Sequence, residues 1–137
     1  MSNSKIRQMR SLLASRRIVV SPGAYDGYSA RLVEHLGFKA VSMTGAGLSN
    51  SRLSQPDIGI MSLTENVAAC QWIAHFISIP MMADADTGYG NPATVHHTVQ
   101  FVEEAGVVGI NIEAEFLLPE EMERKYHSGE RSSVVRP

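Results

Sequence analysis

Asp84 and Asp86 stand two residues apart in the stretch Ala83-Asp84-Ala85-Asp86-Thr87-Gly88-Tyr89-Gly90, directly after the apolar run Ile79–Ala83. On an extended chain, residues two apart share a face, with roughly 6–7 Å between Cα atoms. Two carboxylates that close repel unless one is protonated or a cation lies between them. Donors that are all oxygen favour a hard ion, Mg²⁺ or Mn²⁺, over Zn²⁺. The competing reading is that both aspartates cap turns in solvent. Gly88 and Gly90 fit tight turns and a movable flap over such a site. Thr44-Gly45-Ala46-Gly47 offers backbone N–H groups to a substrate carboxylate. Other candidates are weaker. The five histidines form no HExxH pattern, and His96 and His97 read as surface residues. The single cysteine, Cys70, falls on an apolar helical face, where a buried inert thiol is expected. No phosphate loop or dinucleotide fingerprint is present.

The elements that position these residues alternate. A polar helix is expected over 5–15 and a short strand at Ile18–Val20, closed by Ser21-Pro22-Gly23. A helix over 27–36 carries Leu32, Val33 and Leu36 on one face and stops at Gly37. Ala40–Thr44 reads as strand two and 48–61 as loop. Ser62-Leu63-Thr64-Glu65 has the capping-box pattern and opens a helix to about Phe76. Pro80–Ala83 is strand three. Asn91-Pro92 opens a helix with the stripe Val95, Val99 and Val102, stopped by Gly106, and Gly109–Glu113 is strand four. Strand–helix alternation of this kind predicts an α/β fold of parallel strands with helices outside. In such folds function gathers at the carboxyl ends of the strands. Asp84, Asp86 and Glu113 then meet at one mouth.

With 137 residues, 44% apolar and 19% charged, the chain has enough material for one modest core. A net charge of −2 excludes a polyanion-binding surface as the main feature, so no nucleic-acid partner is expected. No apolar run approaches a membrane span. One cysteine excludes an internal disulfide and fits a reducing compartment. The first 17 residues carry five basic residues and no acid, which raises a mitochondrial presequence as the alternative to a cytoplasmic protein with an ordinary first helix.

Pro22–Asp26, Ser29–Leu32, Gly37–Val41, Thr44–Gly47, Pro56–Gly59, Ala83–Gly90 and Gly109–Glu113 occur in this order. Together they resemble the isocitrate lyase/phosphoenolpyruvate mutase superfamily, most closely its methylisocitrate lyase, dimethylmalate lyase and carboxyphosphonoenolpyruvate mutase branch. The resemblance implies a TIM-like (β/α)8 barrel, Mg²⁺ dependence, homo-oligomers, and carbon–carbon bond chemistry on small 2-oxo or 2-hydroxy carboxylic acids. By position it implies metal carboxylates at Asp84 and Asp86. Asp57 and Glu113 would hold metal-bound water or orient the site. Thr44, Gly45 and Ala46 would bind substrate carboxylate, and Tyr25 would line the pocket.

The resemblance covers roughly residues 5–113, and residues 1–113 are expected to form the first half of the barrel, with about four strands. The family continues past this point with a mobile Lys-Lys/Arg-Cys-Gly-His loop. This chain instead reads Ala114-Glu115-Phe116-Leu117, then Leu118–Lys125, a stretch similar to the family's segment just beyond that loop. Residues 114–137 are expected to be a divergent tail from which the catalytic loop is deleted. The alternative to a working lyase is thus an inactive, truncated relative that associates with a full-length homologue.

Overall fold

The computed structural model describes residues 2–113. Helix α1 (Ser2–Ala14) leads into β1 (Gly23–Ala24), α2 (Gly27–His35), β2 (Val41–Met43), α3 (Gly45–Leu48), a π-helical turn (Ser49–Leu53), α4 (Leu63–Phe76), β3 (Met81–Asp84), α5 (Pro92–Glu104) and β4 (Gly109–Asn111). The four strands form one parallel sheet in the order β1-β2-β3-β4. Each strand lies beside the next in sequence, with no reversal of order. A doubly wound sheet needs such a reversal; a barrel wall does not.

Local signals fix the helix ends. Ser62 Oγ accepts from the Glu65 N–H at 3.3 Å, and the Glu65 carboxylate accepts from the Ser62 N–H at 2.9 Å. Asn91 Oδ1 accepts from the N–H groups of Ala93 and Thr94, with Pro92 in the first turn. Helices α2 and α5 stop at Gly37 and Gly106, both left-handed.

One face of the sheet is buried under the helices. Val41, Met43, Met81 and Ala83 pack with Ala30, Val33, Ala69, Ile73 and Val102. Their neighbours Ser42 and Met82 point the other way and are half-buried. Asp84 follows Met82 by two and so belongs to this second face, at its carboxyl end.

The sequence reading fails in places. Ile18–Val20 is not a strand: β1 lies at Gly23–Ala24, and Ile18 is 93% exposed. Pairing with β2 begins at the Pro22 carbonyl, which accepts from the Ser42 N–H at 3.0 Å. Earlier residues have no strand opposite them, because β2 starts only at Val41. Residues 48–61 are not all loop, since the π-helical turn lies within them. Strand β4 ends at Asn111, short of Glu113. On α2 the buried residues are Ala30 and Val33, while Leu32 and Leu36 are exposed. On α5 they are Thr98 and Val102, with Val99 turned outward. Among the described residues no helix is long and apolar enough to cross a membrane. The expected tail and loop deletion at 114–137 lie outside the described residues.

Candidate functional site

The parallel ladder delivers Asp84 to the carboxyl edge of the sheet, where the chain turns sharply. Asp84 Oδ2 accepts from the Gly45 N–H at 3.1 Å, across to the start of α3. Its Oδ1 accepts from the Asp86 N–H at 3.0 Å, so the first aspartate holds the backbone of the second. Asp86 is left-handed, with φ 48°, a conformation that costs a non-glycine residue energy and persists only where neighbours enforce it. Those neighbours include β4 and its continuation. The Ala85 N–H donates to the Asn111 carbonyl at 3.0 Å, and the Glu113 N–H donates to the Asp86 carbonyl at 2.7 Å. Glu113 therefore reaches the site by pairing with the turn rather than from within a strand.

These acids share one hollow of about 40 Å³, lined by Gly45, Asp57, Gly59, Met61, Asn66, Asp84, Asp86, Tyr89 and Glu113. Of the residues singled out in the sequence, it unites Asp57, Asp84, Asp86, Glu113 and Gly45. Thr44, Ala46 and Tyr25 lie outside it, around the first turn of α3. Thr44 Oγ1 accepts from the Gly47 N–H at 3.3 Å and so caps that turn. The Ala46 carbonyl accepts from Asn50 Nδ2 at 2.8 Å. Tyr25 packs on Gly47, where an added Cβ would stand 2.9 Å from the Tyr25 Cβ. The Gly45 and Gly47 N–H groups, read from the sequence as anion donors, are thus engaged within the protein: one orients Asp84, the other closes a cap.

Among the described residues, four carboxyl groups and no basic side chain line the hollow. Gathered acids without an interleaved cation repel, and a divalent ion relieves that repulsion. The donors are all oxygen, which suits Mg²⁺, and the volume admits an ion with a little water. Among the described residues no three of the acidic, histidine or cysteine side chains stand together as a ready cage. Mg²⁺ keeps several of its waters and takes few direct protein ligands, so it does not require such a cage. The residues present fit such an ion.

Sequence reasoning missed Tyr89 and Asn66 as site residues. Burial, followed by the charge of Asp86, pushes the Tyr89 phenol above its ordinary range, so it stays protonated at the hollow's wall. Asn66 is buried on α4, and its Nδ2 donates to the Asp84 carbonyl at 2.9 Å. The available signal was a lone amide among Ala69, Cys70 and Ile73 on an otherwise apolar face. Cys70 behaves as expected. Burial and then the nearby Asp84 charge push its thiol up to about 12. At pH 8 it is expected to resist a disulfide thiol reagent in the folded chain and to react fully once urea unfolds it. Rapid titration of the folded protein would contradict this burial.

A family model described as phosphoenolpyruvate phosphomutase matches residues 9–133. Over 106 residues the chain is 47% identical to the 2,3-dimethylmalate lyase of Eubacterium barkeri, covering 77% of this chain and 37% of that protein. It is 39% identical over 105 residues to the 2-methylisocitrate lyase of Aeropyrum pernix, covering 77% of this chain and 34% of the relative. Its fold superposes on a phosphonopyruvate hydrolase complexed with oxalate and Mg²⁺, with a TM-score of 0.79 and 34% identity, covering 82% of this chain and 40% of the other. The chain spans about a third of the length of the curated relatives it matches.

Proposed function

We propose that this chain, which belongs to the phosphoenolpyruvate phosphomutase family, carries the ion-gripping acidic part of a Mg²⁺-dependent lyase site for small carboxylic acids. The observation that carries the reading is the convergence of Asp57, Asp84, Asp86 and Glu113 on one hollow. Asp84 and Asp86 would hold the ion, with Asp57 and Glu113 on its waters. Bound Mg²⁺, or Mn²⁺ in its place, supplies Lewis acidity toward negative charge developing on substrate oxygens. The protein's own residues do the positioning. The Gly45 N–H fixes the direction of the Asp84 carboxylate, and Asp84 fixes the backbone of Asp86. The shoulder formed by Thr44, Gly45, Ala46 and Tyr25, beside the hollow, is the proposed seat of the substrate carboxylate. A 2-methylisocitrate- or 2,3-dimethylmalate-like acid is the proposed substrate class, in keeping with the names of the relatives.

A second reading is favoured by one observation. The chain's single cysteine is Cys70, buried on α4 with its thiol held protonated, and so unable to exchange a proton with substrate. A chain in which residues 1–113 form the barrel portion and 114–137 lack a cysteine loop would grip the ion without turning substrate over. It would then act by associating with copies of itself or with a longer homologue. Calorimetry with Mg²⁺ and assay of pyruvate or glyoxylate release from 2-methylisocitrate separate these readings. Binding with release supports the lyase. Binding without release supports the inert relative. No heat of Mg²⁺ binding overturns the site assignment itself.

A further inference from the structure

Asn66 is a buried amide beside the site. It is 1% exposed and sits one turn into α4, where the Ser62 cap sets the start of the helix and the Asn66 N–H donates to the Ser62 carbonyl. A primary amide has two donor protons and one acceptor oxygen. One proton goes to the Asp84 carbonyl at 2.9 Å. Oδ1 accepts from Cys70 Sγ at 3.4 Å. The remaining proton is available to the Tyr89 phenol, which has the Asn66 side chain as a hydrogen-bonding neighbour. Asn66 and Tyr89 also line the same hollow as Asp84 and Asp86.

Tyr89 needs such a partner. Its backbone is left-handed at φ 62°, between Gly88 and Gly90, a conformation that persists only where neighbours enforce it. The Asp84 carbonyl is the last strand acceptor before the chain turns toward Asp86. One buried amide therefore ties the end of β3 to the ring that walls the acidic hollow.

We propose that Asn66 is a positioning residue of the candidate ion site: it touches no ion itself but sets the main chain at Asp84 and the ring of Tyr89. The Mg²⁺ part of this proposal rests on the function proposed above; the ring-ordering part does not.

Asn66→Leu keeps the volume and removes both donors. The full chain, labelled with 3-fluorotyrosine, gives a Tyr89 ¹⁹F resonance that Tyr89→Phe identifies by its loss. In the parent protein this resonance is expected to lie away from the free-tyrosine position. In Asn66→Leu it moves toward that position. Calorimetry is then run at temperatures where both proteins are folded by circular dichroism. The Mg²⁺ dissociation constant is expected to rise about tenfold in Asn66→Leu, by less in Tyr89→Phe, and no further in the double variant than in Asn66→Leu alone. A residue that only stabilises the fold would lower the melting temperature and leave the dissociation constant of the folded protein unchanged. An unmoved Tyr89 resonance, or a normal dissociation constant in folded Asn66→Leu, overturns the proposal. If the parent chain takes up no Mg²⁺, the ion reading fails, and the resonance alone decides whether Asn66 orders the ring. Should Asn66→Leu fail to fold, Asn66→Ser is measured in the same way and judged by the same two outcomes.

Discussion

Asp84→Ala is expected to abolish measurable Mg²⁺ binding and to loosen the junction between β3 and α3. The ion loses a direct carboxylate, and the loss extends beyond that charge. Asp84 Oδ1 organises the Asp86 N–H and Oδ2 the Gly45 N–H, so one substitution releases the second aspartate and the start of α3 together. Hydrogen bonds to a charged group contribute roughly 1.5–3 kcal/mol each. Asp84 is half-buried, so water replaces part of that. A stability loss of about 2–3 kcal/mol is expected, with a fall in Mg²⁺ affinity of about a hundredfold or more, the latter corresponding to roughly 2.8 kcal/mol. Asp84→Asn separates the two effects. It keeps the volume and one acceptor oxygen but turns an amide donor toward one of the two N–H groups. Its stability should fall less than that of Asp84→Ala, while its affinity should fall nearly as far. Mg²⁺ calorimetry beside urea unfolding checks this, and undiminished affinity in Asp84→Ala would remove the aspartate from the site.

The sequence made the helices legible because their ends carry chemistry of their own. Ser62 and Glu65, Asn91 and Pro92, and the glycines at 37 and 106 each act locally, and each is found acting as read. Asp84, Asp86 and Glu113 could be grouped from the sequence because carboxylates at strand ends have few other reasons to converge, whereas Asp57 came only from the family resemblance. What failed depended on contacts far along the chain. Whether Ile18–Val20 pairs is decided by where β2 begins, not by its own apolar residues. Val99 was read into the apolar stripe of α5 because polarity was taken as a guide to exposure, whereas the fold buries Thr98 beside it. Yet the buried Thr98 hydroxyl donates to the Gly88 carbonyl at 2.9 Å, a use no periodicity reveals. Asn66 was passed over for the same reason: its partners are residues 70, 84 and 89, which only the fold brings together. The support that the Gly45 N–H gives to Asp84 was hidden in the same way.

Gly88→Ala is expected to be the most damaging single-methyl change near the site. The turn at 85–88 is held from both sides, by the Gly88 N–H donating to the Ala85 carbonyl at 2.8 Å and by Thr98 gripping the Gly88 carbonyl. This turn ties β3 to α5. Gly88 sits at φ 90°, where an L-residue is strained by roughly 1–2 kcal/mol. An added Cβ would also stand 2.6 Å from Val95 Cγ2. Val95 is β-branched and lies in the first turns of α5, so it has little rotameric freedom to withdraw. Overpacking of this kind adds roughly 1–3 kcal/mol. The total, about 2–5 kcal/mol, is a large share of the stability of a domain this size. Gly37→Ala provides the calibration. Gly37 has a similar φ of 88°, but its added Cβ meets nothing within 4 Å, so it should lose only the backbone part. The difference between the two losses in urea unfolding then measures the Val95 contact. Combining Gly88→Ala with Val95→Ala should recover much of that difference and leave the backbone part in place. Equal losses in Gly88→Ala and Gly37→Ala would mean the chain gives way at Val95 without cost, and that the turn is not the rigid link between strand and helix that holds Asp86.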